Sequence, residues 1–269
     1  MLSEGIDPVF VFDGRPHELK RETLKGRKKR KQKAFSRWEA AVEAGDMTAA
    51  KKLGPQTAEY TPEMVAETKR LFELLGVTWI EAPMEAEGAA AVRCARGEVG
   101  AVSSQDWDTL LYGAPVMVRN LTSHGSKRFG RVLRAERIVL ADTLAKHDIT
   151  HEQLVDLGIM IGTDFHPGIR GIGPKTGLKL IREHGTLEAV AEAKEFELPE
   201  RLDEIRSLFL EHPTTADTLP HSTHAVEEDL WTFLRDERGF SERRVQRALD
   251  RLISVARLRS SSQPTLFDF

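Results

Sequence analysis

Cysteine is nearly absent, with one residue, Cys94, in 269. A lone thiol excludes an intramolecular disulfide and a thiolate metal cluster, and it fits a reducing compartment. No apolar run approaches the roughly 20 residues that a membrane-spanning helix needs. No basic segment followed by an apolar stretch marks a signal peptide. There is no internal repeat. Charge of one sign is not in excess either: the formal net charge is −3. Overall charge therefore announces no polyanionic partner, and local charge has to be read instead. These absences leave a soluble intracellular protein as the default, and the further expectation is a cytoplasmic monomer with no membrane attachment.

The features that are present begin with "PVFVFDG". The run Val9–Phe12 reads as a strand buried on both faces that stops on Asp13 and turns at Gly14. Residues 17–53 read as helical, and the stretch from Lys20 to Lys33 holds nine basic residues against one acid, Glu22. Phe35 and Trp38, next to that run, read as packing residues. "GDMTAAKKLGPQTAEYTP" then reads as a short helix and turns, punctuated by Pro55 and Pro62. Thr61 fits an N-cap and Pro62 a first helical position, opening a helix over 62–75. "VTWIEAP" is a strand, 85–96 an alanine-rich helix, and 99–103 a second apolar strand. "PVMVRNLT" and "RVLRAERIVL" alternate as strands around a loop. From about residue 150 the pattern is helical, over 151–161, 174–184, 186–193, 200–211 and 226–256. Strands alternating with helices predict an α/β fold with a parallel-type central sheet.

In such sheets the sites lie beyond the carboxyl ends of the strands. Asp13 follows the first strand, Glu85 and Glu87 the next, and Asp106 and Asp108 the third. Asp164 follows the helix 151–161. Each acid taken alone is explained by a helix N-terminus or a turn. Clustered, they would not ionise together without counter-charge. Hard oxygen ligands with no Cys or His cluster point to Mg²⁺ or Mn²⁺. Two such ions about 4 Å apart clamp the attacking and leaving oxygens of a phosphodiester displacement. His147, His166 and His184 are scattered and read as non-ligands. "GIRGIGPKTG" sets Gly171 and Gly173 before Pro174, so that backbone N–H groups face a phosphate at a helix start, with Lys175 and Thr176 as further contacts.

"PVFVFDG", "EAPMEAEGAAA", "SSQDWDTLLYG" and "GTDFHPGIRGIGPKTGLKLI" resemble, in order and spacing, the motifs of the structure-specific 5′ flap endonucleases of archaeal and eukaryotic type. The resemblance covers essentially the whole chain. It implies a PIN-like 5′ nuclease fold, with a nuclease domain over 1–258 that includes a basic helical arch at 17–60 and a helix-hairpin-helix-like clamp at 150–185. It implies that Asp13, Glu85 and Glu87 surround one Mg²⁺, and that Glu87, Asp106, Asp108 and Asp164 surround or adjoin a second. Lys20 and Arg27 match the basic pair that stabilises charge on the scissile phosphate. The glycine clamp would hold duplex DNA with a monovalent cation, usually K⁺. The substrate implied is branched DNA with a 5′ flap, cut during replication and repair, with 5′–3′ exonuclease activity besides.

The tail 259–269 carries "QPTLFDF", which looks like a peptide for the replication sliding clamp (PCNA), with Gln263, Leu266 and Phe269 as its anchors. Family members carry a further strand with another metal-binding Asp, and helices, ahead of the point where this chain begins. The expectation is therefore an uncovered edge on the Val9–Phe12 strand, and lower stability and activity than in an upstream-extended form. The alternatives are a catalytically impaired protein that binds DNA and the clamp, or another 5′ nuclease of the same superfamily.

Overall fold

The computed structural model describes residues 1–128, 131–214, 218–220 and 226–260. In chain order its strands are β1 (Val9–Phe12), β2 (Thr78–Glu81), β3 (Val102–Ser103), β4 (Val116–Arg119), β5 (Lys127–Arg128), β6 (Arg131–Val132) and β7 (Glu136–Val139). Its helices begin with α1 (Arg21–Glu43), α2 (Met47–Thr57), α3 (Pro62–Leu74), α4 (Ala86–Ala95), α5 (Asp108–Leu111) and α6 (Leu140–His147). They continue with α7 (His151–Ile161), α8 (Pro174–His184), α9 (Leu187–Lys194), α10 (Leu202–Leu210), α11 (Glu227–Trp231) and α12 (Glu242–Ser260). Two units result: Met1–Phe12, Tyr60–Glu81 and Ala216–Phe269 form one, and Asp13–Glu59 with Ala82–Thr215 the other.

Local chemistry starts many of these elements. Thr61 accepts the Met64 N–H and Pro62 takes the first position of α3. Thr150 accepts the Gln153 N–H, and the Gln153 side chain returns a bond to the Thr150 backbone, a capping box that fixes the start of α7. Elsewhere the structure departs from the sequence pattern. The helical stretch 17–53 divides near its end: α1 stops at Glu43, and the short helix expected next forms as α2. The chain reverses at Gly45, with φ +72°, and Asp46 accepts the Ala49 N–H at 2.9 Å to open α2. Pro55 does not end α2, which runs on to Thr57. The strand expected at 99–103 shrinks to Val102 and Ser103, the residues that meet Met117 and Val118 on β4. The helix expected over 226–256 breaks. A π-helical turn at Thr232–Glu237 closes on Gly239, with φ +67°, where Phe240 N–H returns to the Leu234 carbonyl at 3.0 Å.

Parallel pairing is divided between two sheets. β1 pairs with β2, and β3 with β4, while β7 joins β4 antiparallel and β5–β6 form a separate small hairpin. All four β1 residues are half-buried rather than buried. The physical reason is that β2 is the one hydrogen-bonded neighbour of β1 among the described residues. The β1 aromatics still pack. Phe10 stacks on Phe72 at 4.2 Å, and the Lys69 ammonium lies 5.1 Å from the Phe12 ring and 4.8 Å from Trp79. The small core of this unit joins Leu230, Val245 and Leu249 to Leu71, Leu74 and Leu75.

The main core belongs to the other unit and centres on α7. Val155, Ile159 and Met160 are fully buried there, with Ile181 of α8, Leu187 and Val190 of α9, and Phe209 of α10. Burying each such side chain is worth about 1.5–3 kcal/mol. A Cβ on Gly177 would stand 2.6 Å from Leu157 Cδ1, so a glycine lets α8 approach α7 closely. Asp156, buried within α7, accepts from Arg206 at 2.7 Å and from the Leu187 N–H at 3.1 Å, and Arg206 also grips Glu188. This network ties α7 to α9 and α10. It fixes the platform from which the loop carrying Asp164 departs.

Candidate active site

The chain leaves β1 at Asp13 and turns at Gly14. A Cβ at Gly14 would stand 2.0 Å from the Ala82 carbonyl oxygen, and the Gly14 N–H donates to Met84 O at 2.7 Å. Only glycine allows that approach. It brings Asp13 to the start of α4, where Oδ1 accepts the Ala86 N–H at 2.9 Å and Oδ2 is left for another partner. Glu85 is the N-cap residue of α4, and Glu87 stands in the first turn.

β3 ends at Ser103, and the hydroxyl of the next residue, Ser104, accepts the Asp106 N–H at 3.0 Å. Asp106 Oδ1 in turn accepts the Asp108 N–H at 3.1 Å, which locks the Asp-x-Asp turn before α5. Asp164 sits in the loop after α7. Its carbonyl accepts the Thr23 hydroxyl at 2.9 Å and its carboxylate is gripped by Arg27 at 2.6 Å. The Lys20 ammonium pairs with Glu85 and lies 3.1 Å from Asp164 Oδ2. Lys20 belongs to a 3-10 turn and acts as the N-cap residue of α1, so only Arg27 of the pair lies within the helix.

These residues meet. Asp13, Glu85, Glu87, Asp106, Asp108, Asp164, Lys20 and Arg27 line one cavity of about 140 Å³, together with Tyr112 and Phe165. The cations and the anions within it are unevenly matched. Lys20 and Arg27 serve Glu85 and Asp164, whereas no cationic side chain pairs with Glu87, Asp106 or Asp108 among the described residues. This imbalance sets the electrostatics. Burial, with Asp106, Asp164 and Glu87 adding repulsion, pushes the Asp108 carboxyl up to about 7. Burial also raises Glu87, helped by the charges of Asp13, Asp106 and Glu85. Burial opposes the Lys20 charge, but the Glu85 and Asp164 carboxylates outweigh it and hold the ammonium above its usual range. Among the described residues no three ligand-type side chains already close around one point. The donor set nevertheless fits hard divalent cations. It is all oxygen, partly buried, and short of positive charge on the Glu87–Asp106–Asp108 side.

Some neighbours of the site carried no sequence signal. Tyr112 backs the cavity, packed on Phe209 at 4.9 Å and on His212 at 5.1 Å. Burial and the surrounding carboxylates keep its phenol protonated. His212 is buried with both ring nitrogens unpartnered among the described groups, and burial pushes its imidazole below the usual range. A Cβ on Gly88 would stand 2.3 Å from its ring, so the glycine beside Glu87 exists to admit that imidazole. The spacing of these residues gives no hint of the contact. At the other candidate site, Gly171 has φ +88° and Gly173 caps α8, with open space around both, while Lys175 and Thr176 are exposed. Gln263, Leu266 and Phe269 lie outside the described residues.

Comparison with known proteins gives a consistent result. The XPG N-terminal domain matches residues 1–34 and the XPG I-region residues 76–164. The chain is 39% identical over 267 residues to Flap endonuclease 1 of Methanosarcina barkeri, covering 97% of this chain and 79% of the relative. It is 43% identical over 252 residues to Flap endonuclease 1 of Methanoculleus marisnigri, covering 92% and 74%. Among solved structures it matches flap endonuclease-1 from Methanococcus jannaschii with a TM-score of 0.71 at 36% identity, over 96% of this chain and 78% of that one. The catalytic core of Rad2 in complex with DNA shares the fold, with a TM-score of 0.72 at 21% identity over 94% of this chain and 79% of that one.

Proposed function

This chain belongs to the flap endonuclease family, and on that premise we propose that it cuts branched DNA at a 5′ flap through the carboxylate cavity, in replication and repair. One observation carries the reading: six carboxylates and two cations, drawn from separate stretches of the chain, line a single cavity. We assign Asp13, Glu85 and Glu87 to one Mg²⁺, and Glu87, Asp106, Asp108 and Asp164 to a second, with Mn²⁺ able to substitute. Bound there, the ions would supply Lewis acidity and offset the repulsion that adds to burial in raising Asp108 and Glu87.

The side chains of the protein do the rest. Asp13 commits Oδ1 to the α4 N-terminus, which fixes the direction of Oδ2. Lys20 offers three donors and its two carboxylates use two, while Arg27 offers five and Asp164 takes one. Both can therefore hold a phosphate oxygen without releasing the acids. A cation that keeps its position while charge builds on the scissile phosphate stabilises the transition state more than the bound substrate. The basic helix α1, within an arch over 17–60, would guide the single-stranded flap by charge. Gly171, Gly173, Lys175 and Thr176 would hold the duplex, with K⁺ at the hairpin of a clamp over 150–185 inside a nuclease domain over 1–258.

The test is cleavage of a labelled 5′-flap duplex with Mg²⁺ against the same reaction in EDTA. Release of the flap near the junction in Mg²⁺ alone is expected, and stronger cutting of gapped than of flapped DNA would overturn the substrate assignment. The tail is assigned to the sliding clamp through Gln263, Leu266 and Phe269. Deleting 263–269 should abolish stimulation by the clamp. A pull-down with the clamp that ignores the deletion would defeat that assignment. A cytoplasmic monomer completes the reading, and no helix among the described residues is long and apolar enough to cross a membrane.

A further inference from the structure

Trp107 stands between Asp106 and Asp108, two residues that line the cavity, yet it does not line the cavity itself. It is 51% exposed. A single exposed apolar side chain is ordinary. Three features set this one apart. Its backbone is locked, because Asp106 Oδ1 takes the Asp108 N–H at 3.1 Å and Trp107 O takes the Leu110 N–H at 3.0 Å. Its ring is backed by a cation, since the Arg119 guanidinium lies 4.1 Å from the indole. That guanidinium is itself held at a cost. Its Nε–H is buried with no acceptor among the described groups, and its ion pair with Glu136 is long, at 4.0 Å. A costly arginine and a locked turn thus hold an indole beside the site, with about half of its surface open.

We propose that Trp107, supported by Arg119, is a stacking step for one unpaired nucleobase of the DNA bound at this site. The inference rests on the flap endonuclease reading and adds a contact to it. Two chemical reasons select a base. The cavity wall next to Trp107 is the acidic side, where Glu87, Asp106 and Asp108 have no paired cation among the described residues, so a phosphate gains little from side chains there. An aromatic face attracts any base whatever its sequence, and only a base unstacked from its neighbour has a free face to offer. A guanidinium behind the indole holds it in place by cation–π attraction.

The test measures binding of 5′-flap DNA in EDTA, so that no cleavage interferes. The DNA is used intact or with one abasic nucleotide placed at successive positions on either side of the junction. For the parent chain, one position should lose about tenfold in affinity when its base is removed. Trp107→Ala should lose about tenfold on intact DNA, and removing that same base should then cost nothing more. Trp107→Phe should keep part of the affinity and part of the sensitivity to base removal. Trp107→Leu, which keeps apolar bulk without an aromatic face, should behave like Trp107→Ala, and it covers the case in which the alanine variant fails to fold. If the abasic profile of the leucine variant equals that of the parent, the stacking step is overturned, and a sugar contact or no contact replaces it. A parent chain that neither binds nor cleaves flap DNA would instead defeat the family-based reading together with this one.

Discussion

Two helices that bring groups to one cavity are built on opposite principles. α1 is 23 residues long and buries one side chain, Ala34. α7 is 11 residues long and buries Val155, Asp156, Leu157, Ile159 and Met160. α1 stands on helix propensity and on its packing against α2, and its long lysine–arginine run repels itself. α7 stands on the core and on the Asp156–Arg206–Glu188 network. Most of the carboxylates that must converge are delivered by segments with buried residues, α4 and α5 as well as α7, and Asp13 is placed by the Gly14 turn and its bond to α4. The cations come from the basic stretch, Arg27 from the exposed helix itself and Lys20, mostly buried, from the turn that leads into it. Burial secures position for Lys20 as it does for the acids, and exposure keeps the Arg27 guanidinium available.

The comparison breaks most completely if a carboxylate is removed. Asp106→Ala should lower flap cleavage by about 10³-fold or more. Binding to plain duplex should survive, because the Gly171–Thr176 segment is untouched. Cleavage at the parental rate would show that the acidic floor is not the reaction site. The basic side is tested next. Lys20→Ala and Arg27→Ala should each slow single-turnover cleavage by about 10²–10³-fold while affinity falls far less, as expected of groups that act on transition-state charge. Equal losses of rate and affinity would make them ordinary phosphate contacts.

Stability should show the reverse asymmetry. Ile159→Ala should cost about 2–5 kcal/mol. Phe35→Ala, at a position 46% exposed on α1, should stay within about 0.5 kcal/mol. Urea unfolding of the two variants reads the difference directly, and comparable losses would mean that α1 is anchored more deeply than its burial shows. The smallest effect concerns pH. The hydrogen bond from Arg206 lowers the Glu188 carboxyl from 4.5 to about 2. A depressed folded-state value means that the stabilisation is complete above pH 4.5 and fades as pH falls towards 2. The melting-temperature gap between the parent and Glu188→Gln should be widest near neutrality and close over that window. A constant gap would show that Arg206 does not hold the charge of Glu188.

Much of the site was legible because its signals are short-range. The acids follow apolar runs, and strand ends are where an α/β fold places its chemistry. Asp106 and Asp108 stand two residues apart, so one turn presents both. The parts that stayed hidden are long-range or small. Nothing in the spacing places His212 on Gly88 or Tyr112 behind the acids. The short β3 and the divided parallel pairing were equally hidden, since a strand exists only where a partner offers hydrogen bonds, and apolar runs do not name their partners.

The sequence alone determined which residues could bear charge and ligate, and where several helices begin. Thr61, Pro62 and Pro174 act on atoms within a few residues of themselves, so no fold is needed to read them. Only the tertiary structure decided that Lys20 reaches both Glu85 and Asp164, that Asp13 caps α4, and that Asp108 is pushed up to about 7 while Lys20 stays charged. Those properties depend on burial and on the sum of nearby charges, and both come from segments far apart in the chain that meet only when the core closes.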